Sequence, residues 1–126
     1  MTTESEIEQI ALDILNEDLG YTVLYGPDLA EGDSKEREYT EVVLQQRLRN
    51  AIDKLNPEIP VDAREEAFKK ALRTTTISLF ENNQAFHRML TEGIDVKFGI
   101  GDGKAKTDKV WLVDFSNPEN NEFLAI

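Results

Sequence analysis

Ile94-Asp-Val-Lys-Phe-Gly-Ile-Gly-Asp-Gly-Lys-Ala-Lys-Thr-Asp-Lys-Val-Trp-Leu-Val-Asp-Phe115 is where the hydrophobic period of the chain changes, and that change decides the fold class. Ile94, Val96, Phe98 and Ile100 alternate with Asp95, Lys97 and Gly99, which predicts a strand with one buried face. Gly99-Ile-Gly-Asp-Gly103 follows, and then a second strand is predicted from about Ala105 to Phe115. Asp102-Gly103 suits a tight hairpin turn, whose central positions need positive φ. Glycines so spaced can also cradle phosphate, but such a loop opens a helix whose N-terminal amides hold the anion, and here a strand follows. Ser116-Asn-Pro-Glu-Asn-Asn121 is saturated with turn formers, and Glu122 to Ile126 begins another apolar run. A chain that stops inside a strand is expected to be the front portion of a longer protein.

Upstream of Ile94 the period is helical. Thr3-x-x-Glu6 is a capping-box pattern, and Ile7, Ile10, Ala11, Ile14 and Leu15 follow at helical spacing, so a first amphipathic helix is predicted to end before Gly20. Tyr21 to Tyr25 reads as a short strand or an extended segment, and Gly26-Pro27-Asp28 with Gly32-Asp-Ser34 as an acidic loop. A second helix is predicted over about Glu38 to Leu55, with Leu44, Leu48, Ala51, Ile52 and Leu55 on one face and Asn56-Pro57 as its stop. Asp62-x-x-Glu65 is the predicted start of a third, burying Ala67, Phe68, Ala71 and Leu72. Ser78-x-x-Glu81 caps a fourth that reaches Leu90 and stops at Gly93. Helices first and an antiparallel β-meander second give an α+β fold in one domain, helical over about 1–93 and β over about 94–126.

At 126 residues and 40% hydrophobic, the chain suits one domain with a modest core. It has no cysteine, which excludes a disulfide framework, a thiolate nucleophile and cysteine-ligated zinc. No apolar run approaches the roughly 20 residues of a membrane span and nothing resembles a signal peptide, so a cytoplasmic protein without membrane contact is expected. The net charge of −11 lies wholly in the N-terminal half: residues 1–66 hold 6 Lys+Arg against 17 Asp+Glu, and residues 67–126 hold 8 against 8. An acidic surface disfavours phosphate binding, so any nucleic acid is expected at the other half, where Lys97, Lys104, Lys106 and Lys109 flank the strands. The plainer reading of those lysines is solvated charge on hairpin edges.

No residue set forms a complete active site. His87, the only histidine, lacks a serine or cysteine partner motif and reads as a packing or hydrogen-bonding residue. Trp111 reads as core more readily than as a base-stacking platform. Asp114 interrupts an apolar strand, so its carboxylate sits at the sheet's end or is held by hydrogen bonds, because an unpaired buried charge is costly, and a supporting or turn-capping role is favoured over that of a metal ligand. Asn117, Asn120 and Asn121 suit turns in which the side chains bond to nearby backbone.

Several segments in order resemble the N-terminal domain of the restriction (R) subunit of type I restriction-modification enzymes. They are Leu19-Gly-Tyr-x-x-x-Tyr-Gly-Pro-Asp28, Glu41-Val-Val-Leu-x-x-Arg-Leu-Arg-x-Ala-Ile-x-x-Leu-Asn-Pro57, Glu81-Asn-Asn-x-Ala-Phe-His-Arg-Met-Leu-x-x-Gly93 and Val110-x-Leu-Val-Asp-Phe-x-Asn-Pro-Glu-Asn-Asn-Glu-Phe-Leu-Ala125. The resemblance runs from about Leu12 to the end.

It implies a parent subunit that fuses a PD-(D/E)xK nuclease domain to an ATP-driven, helicase-like motor. Such a parent uses Mg²⁺ and ATP, and cleaves double-stranded DNA after translocation, together with modification and specificity subunits. The fold implied here is the incomplete front part of that nuclease domain. The family's catalytic Asp, Glu and Lys are expected beyond Ile126, and no Gly-x-x-x-x-Gly-Lys phosphate loop is present, so this chain alone is expected to be inactive and not to bind DNA tightly. Related nucleases often hold the divalent ion partly through a carboxylate on a helix before the sheet. Glu41, at the start of the predicted second helix, is the candidate metal ligand; its plainer role is a solvated glutamate near a helix N-terminus. The rival function is a non-enzymatic acidic interaction module, such as one mimicking nucleic acid, since residues 1–41 hold 2 basic and 12 acidic residues.

Overall fold

Residues 2–31, 35–38, 40–73 and 76–126 are described by a computed structural model of the chain. They fall into two compact units: Gln45–Asn121, and Met1–Leu44 together with Glu122–Ile126.

The larger unit contains helices α3 (Gln45–Leu55), α4 (Val61–Leu72) and α5 (Leu79–Glu92), then strands β2 (Ile94–Gly101) and β3 (Lys104–Val110). β2 and β3 pair antiparallel, with Ile94 opposite Val110 and Gly99 opposite Ala105, and a register shift between Gly99 and Gly101. The turn between them has positive φ at Asp102 (53°) and Gly103 (72°), the geometry of a primed hairpin turn. α4 lies on β2 and α3. Ala63, Ala67 and Ala71 recur one helical turn apart and are buried, so the helix backbone approaches the sheet closely, and Phe68 fills the space beside them. With Ile52, Ile59, Ile94, Val96, Val110 and Leu112 they form one continuous core. Full burial of each of the larger aliphatic side chains contributes roughly 1.5–3 kcal/mol. The Lys70 ammonium adds a polar tie from α4, donating to the Asp95 carbonyl at 3.0 Å.

α5 follows the sequence closely. The Ser78 hydroxyl accepts the Glu81 N–H at its start, and Gly93 closes it at φ 78°. A side chain at Gly93 would be strained by that φ and would also meet the Val110 carbonyl at 3.2 Å and the Trp111 ring at 3.3 Å. The predicted glycine stop is therefore also a packing requirement.

In the smaller unit α1 (Glu4–Asp13) carries the complete capping box: the Thr3 side chain accepts the Glu6 N–H, and the Glu6 carboxylate accepts the Thr3 N–H. α1 runs into a π-helical turn, Ile14–Asp18, so the helical segment ends before Gly20. β1 (Thr22–Val23) pairs in parallel with β4 (Leu124–Ala125), and the Tyr21 ring stacks on Phe123 with centroids 5.1 Å apart. α2 is the single turn Gly26–Ala30, which buries Leu29 and Ala30.

The structure departs from the sequence reading in six places. Ile100, predicted on the buried face of β2, is 58% exposed beside the hairpin turn; that face is buried at Ile94 and Val96 and only half-buried at Phe98. Glu122–Ile126 does not extend an antiparallel meander; it contributes β4, which lies beside β1, so the observed sheets are one antiparallel and one parallel pair. The strand predicted to reach Phe115 stops at Val110, because side-chain amides take over the main-chain groups that a neighbouring strand would have bonded. The second helix begins at Gln45 and not near Glu38. Ahead of it the Glu36 and Arg37 amides both donate to the Leu29 carbonyl, and the β-branched pair Val42-Val43 is a weak helix former. Pro60 and not Asp62 caps the third helix, leaving Asp62 inside its first turn. Gly26-Pro27-Asp28 is helical, since proline's fixed φ suits a first turn; Gly32-Asp-Ser34, the rest of the predicted acidic loop, lies outside the described residues.

Candidate functional site

The most elaborated polar arrangement lies just past β3, in the segment Trp111–Asn121 of the larger unit. Two asparagine side chains hold it. Asn56 is buried at the end of α3; its Nδ2 donates to the Ile52 carbonyl at 2.8 Å and to the Trp111 carbonyl at 2.8 Å, and its Oδ1 accepts the Trp111 N–H at 2.7 Å. Asn121 repeats the pairing three residues on, its Oδ1 accepting the Asp114 N–H at 2.8 Å while its Nδ2 donates to the Asp114 carbonyl at 2.8 Å. Each carboxamide presents the donor and acceptor of a peptide group, so it substitutes for a strand neighbour at one residue.

The Asp114 side chain closes a third ring of bonds. Its Oδ2 accepts from Asn120 Nδ2 at 2.9 Å, and its Oδ1 accepts the Asn117 N–H at 2.9 Å and the Ser116 N–H at 3.0 Å. The Asn120 amide first, then the Asn117 N–H, hold this carboxyl below the usual aspartate range. It is thus a carboxylate committed to a turn, as the sequence reading of a hydrogen-bonded Asp114 predicts. Of the three turn asparagines, Asn121 bonds to backbone as expected, whereas Asn120 bonds to the Asp114 carboxylate.

Beside this knot is an open groove of about 470 Å³, lined by Leu55, Thr91, Trp111, Val113, Asp114, Phe115 and Ser116. Its walls are mixed apolar and polar. Trp111 is exposed, at 39%, although its ring lies against Gly93, so the expected core role is not met in full. His87 is exposed on α5; its carbonyl accepts the Thr91 hydroxyl at 3.1 Å, and the packing role expected of its ring is not seen.

The other candidates are elsewhere. Lys109 pairs with Asp95 at 3.0 Å and Lys106 with Asp108 at 3.4 Å on the exposed hairpin, in agreement with solvated edge charges. Glu41 lies in the smaller unit, on the irregular segment before α3 and not on a helix; its N–H donates to the Glu38 carbonyl and its own carbonyl accepts from Arg37. Among the described residues no three His, Cys, Asp or Glu side chains converge as a metal site would require. Asn56 is the residue that sequence reasoning misses: it reads only as a helix stop, and its one signal is the Asn-Pro pair at a helix end.

A family model described as the type I restriction enzyme R protein N terminus matches residues 1–126. The chain is 36% identical over 128 residues to the type I restriction enzyme HindI endonuclease subunit of Haemophilus influenzae, which covers 100% of this chain and 12% of that protein. It is 28% identical over 118 residues to a Methanocaldococcus jannaschii protein assigned provisionally as the type I restriction enzyme MjaIXP endonuclease subunit, covering 94% of this chain and 11% of that protein. No solved structure matches.

Proposed function

Since the chain belongs to the family of type I restriction enzyme R protein N termini, we propose that it is the front part of a PD-(D/E)xK-type nuclease domain and positions a DNA-cleaving centre without supplying that centre's chemistry. The observation that carries this reading is the match over all 126 residues combined with the Asp114 knot, in which the most elaborate polar constellation of the described residues is used to fix backbone.

On this reading the parent subunit is an ATP-dependent endonuclease that translocates double-stranded DNA and works with modification and specificity subunits in the cytoplasm. Magnesium and ATP serve the parent, and the carboxylates and lysine of cleavage belong to its residues outside 1–126. The Asn56 and Asn121 clamps and the Asp114 turn hold the chain rigid up to Asn121, immediately before the segment that carries β4. Rigid support of this kind matters because misplacing reacting groups by about 1 Å costs about 10²-fold in rate. Glu41 is retained as the one candidate for a remote metal contact. Replacing Glu41 with Gln in the full-length subunit is expected to raise the magnesium concentration needed for cleavage; an unchanged magnesium dependence removes Glu41 from the site. The isolated chain, mixed with plasmid DNA, Mg²⁺ and ATP, is expected to leave the plasmid supercoiled, and nicking that copurifies with the chain would overturn the placement of the chemistry.

No helix among the described residues is long and apolar enough to cross a membrane.

A further inference from the structure

α1 is a helix whose apolar stripe is exposed. Ile7, Ile10, Ala11 and Ile14 follow the i, i+3, i+4, i+7 spacing that puts side chains on one helix face. Yet Ile7 is 59% exposed, Ile10 55% and Ile14 47%, and α1 buries no residue at all. A helix of 10 residues is marginal in water on propensity alone, and amphipathic helices gain most of their stability by burying that stripe. The borders of the stripe are acidic. By helical geometry Glu4 and Glu8 run along one side, and Glu6 and Asp13 along the other. Glu6 and Asp13 are already engaged by the capping box and by Gln9, whereas Glu4 and Glu8 have no partner among the described residues. The first 34 residues contain no Lys, Arg or His.

We infer that α1 is a docking helix for a partner protein, pairing with an amphipathic helix of that partner whose aliphatic stripe is bordered by lysine or arginine. Two copies of α1 would oppose acidic borders, and an anionic lipid surface would repel them, so charge selects a basic occupant. The pairing is in addition to the scaffold role proposed for the larger unit, and it does not depend on DNA cleavage.

The test uses fluorescence anisotropy on the 126-residue chain with two synthetic three-heptad helices that share a Leu/Ile stripe, one bordered by Lys and its twin by Glu. The Lys-bordered helix is expected to bind at least about tenfold tighter than its twin, and to weaken about tenfold between roughly 0.05 and 0.5 M salt as screening sets in. Ile7→Asp with Ile14→Asp should abolish binding, and Glu4→Gln with Glu8→Gln should weaken it several-fold and flatten its salt dependence. Ile10→Ala, which preserves helix propensity, is the second variant should the aspartates melt α1; it is expected to weaken binding several-fold. Equal binding of the twins, or Lys-helix binding indifferent to every isoleucine change, would overturn the proposal. So would self-association removed by the isoleucine changes, or preferential binding to anionic phosphatidylserine vesicles.

Discussion

Helices α1 and α4 make an instructive pair, because both read as amphipathic and only one has found its partner. α4 sets Ala63, Ala67, Phe68 and Ala71 against β2 and α3, and all four are buried. α1 has a stripe of larger residues and buries none. Periodicity therefore reports which face is to be covered, and says nothing about whether the cover lies in the same unit. The proposed roles follow the same division: support by the packed larger unit, and recognition by the exposed stripe of α1.

The largest expected effect breaks the comparison at its core. Ile52, at 1% exposure, belongs to the packed side; Ile52→Ala should lower unfolding free energy by about 2–5 kcal/mol in urea titration, whereas Ile10→Ala on α1 should stay within about 0.5 kcal/mol. Similar losses at both sites would mean that α1 is packed after all. Next comes the Asn56 clamp. Asn56→Ala leaves the Trp111 N–H and carbonyl without their partner, and is expected to destabilise by about 2–3 kcal/mol, with loss of hydrogen-exchange protection at the Trp111 amide. An unprotected Trp111 amide in the unsubstituted chain would argue against the clamp.

A smaller effect separates the two units by pH. Asp114 in the larger unit has a folded pKa below the ordinary aspartate value, so its ionisation favours the folded state above the unfolded pKa of about 3.9, and that contribution is lost as pH falls through the lower folded value. The stability gap between the unsubstituted chain and Asp114→Asn should thus be constant near neutrality and close progressively in acid. A gap that persists at the lowest pH would assign the effect to shape and not to charge.

Much of the larger unit was legible in the sequence. The Ser78 cap, the Gly93 stop, the inward Ile94 and Val96 and the Asp102-Gly103 turn all follow from local chemistry, which acts over a few residues. What failed was long-range. The pairing of β4 with β1 joins residues about 100 positions apart, and no local pattern encodes it. The early end of β3 depends on Asn56, 55 residues away from Trp111, whose amide competes with the strand ladder. Glu41 to Leu44, within the range predicted for the second helix, is not helical, so Glu41 lies off the helix on which its expected metal role rests. For the site, the hydrogen-bonded character of Asp114 was readable because a lone carboxylate in an apolar run needs donors; the identity of those donors was only partly so.

The role proposed for this chain is to position a cleavage centre without furnishing its reacting groups. It is tested most directly in the assembled enzyme by replacing Asp114 with Ala and measuring DNA cleavage, ATP hydrolysis and magnesium requirement together. Cleavage is expected to fall by about tenfold or more, since a loosened support misplaces the centre, with ATP hydrolysis and the magnesium requirement retained. Unchanged cleavage would contradict the positioning role, and a raised magnesium requirement would instead make Asp114 a ligand of the metal.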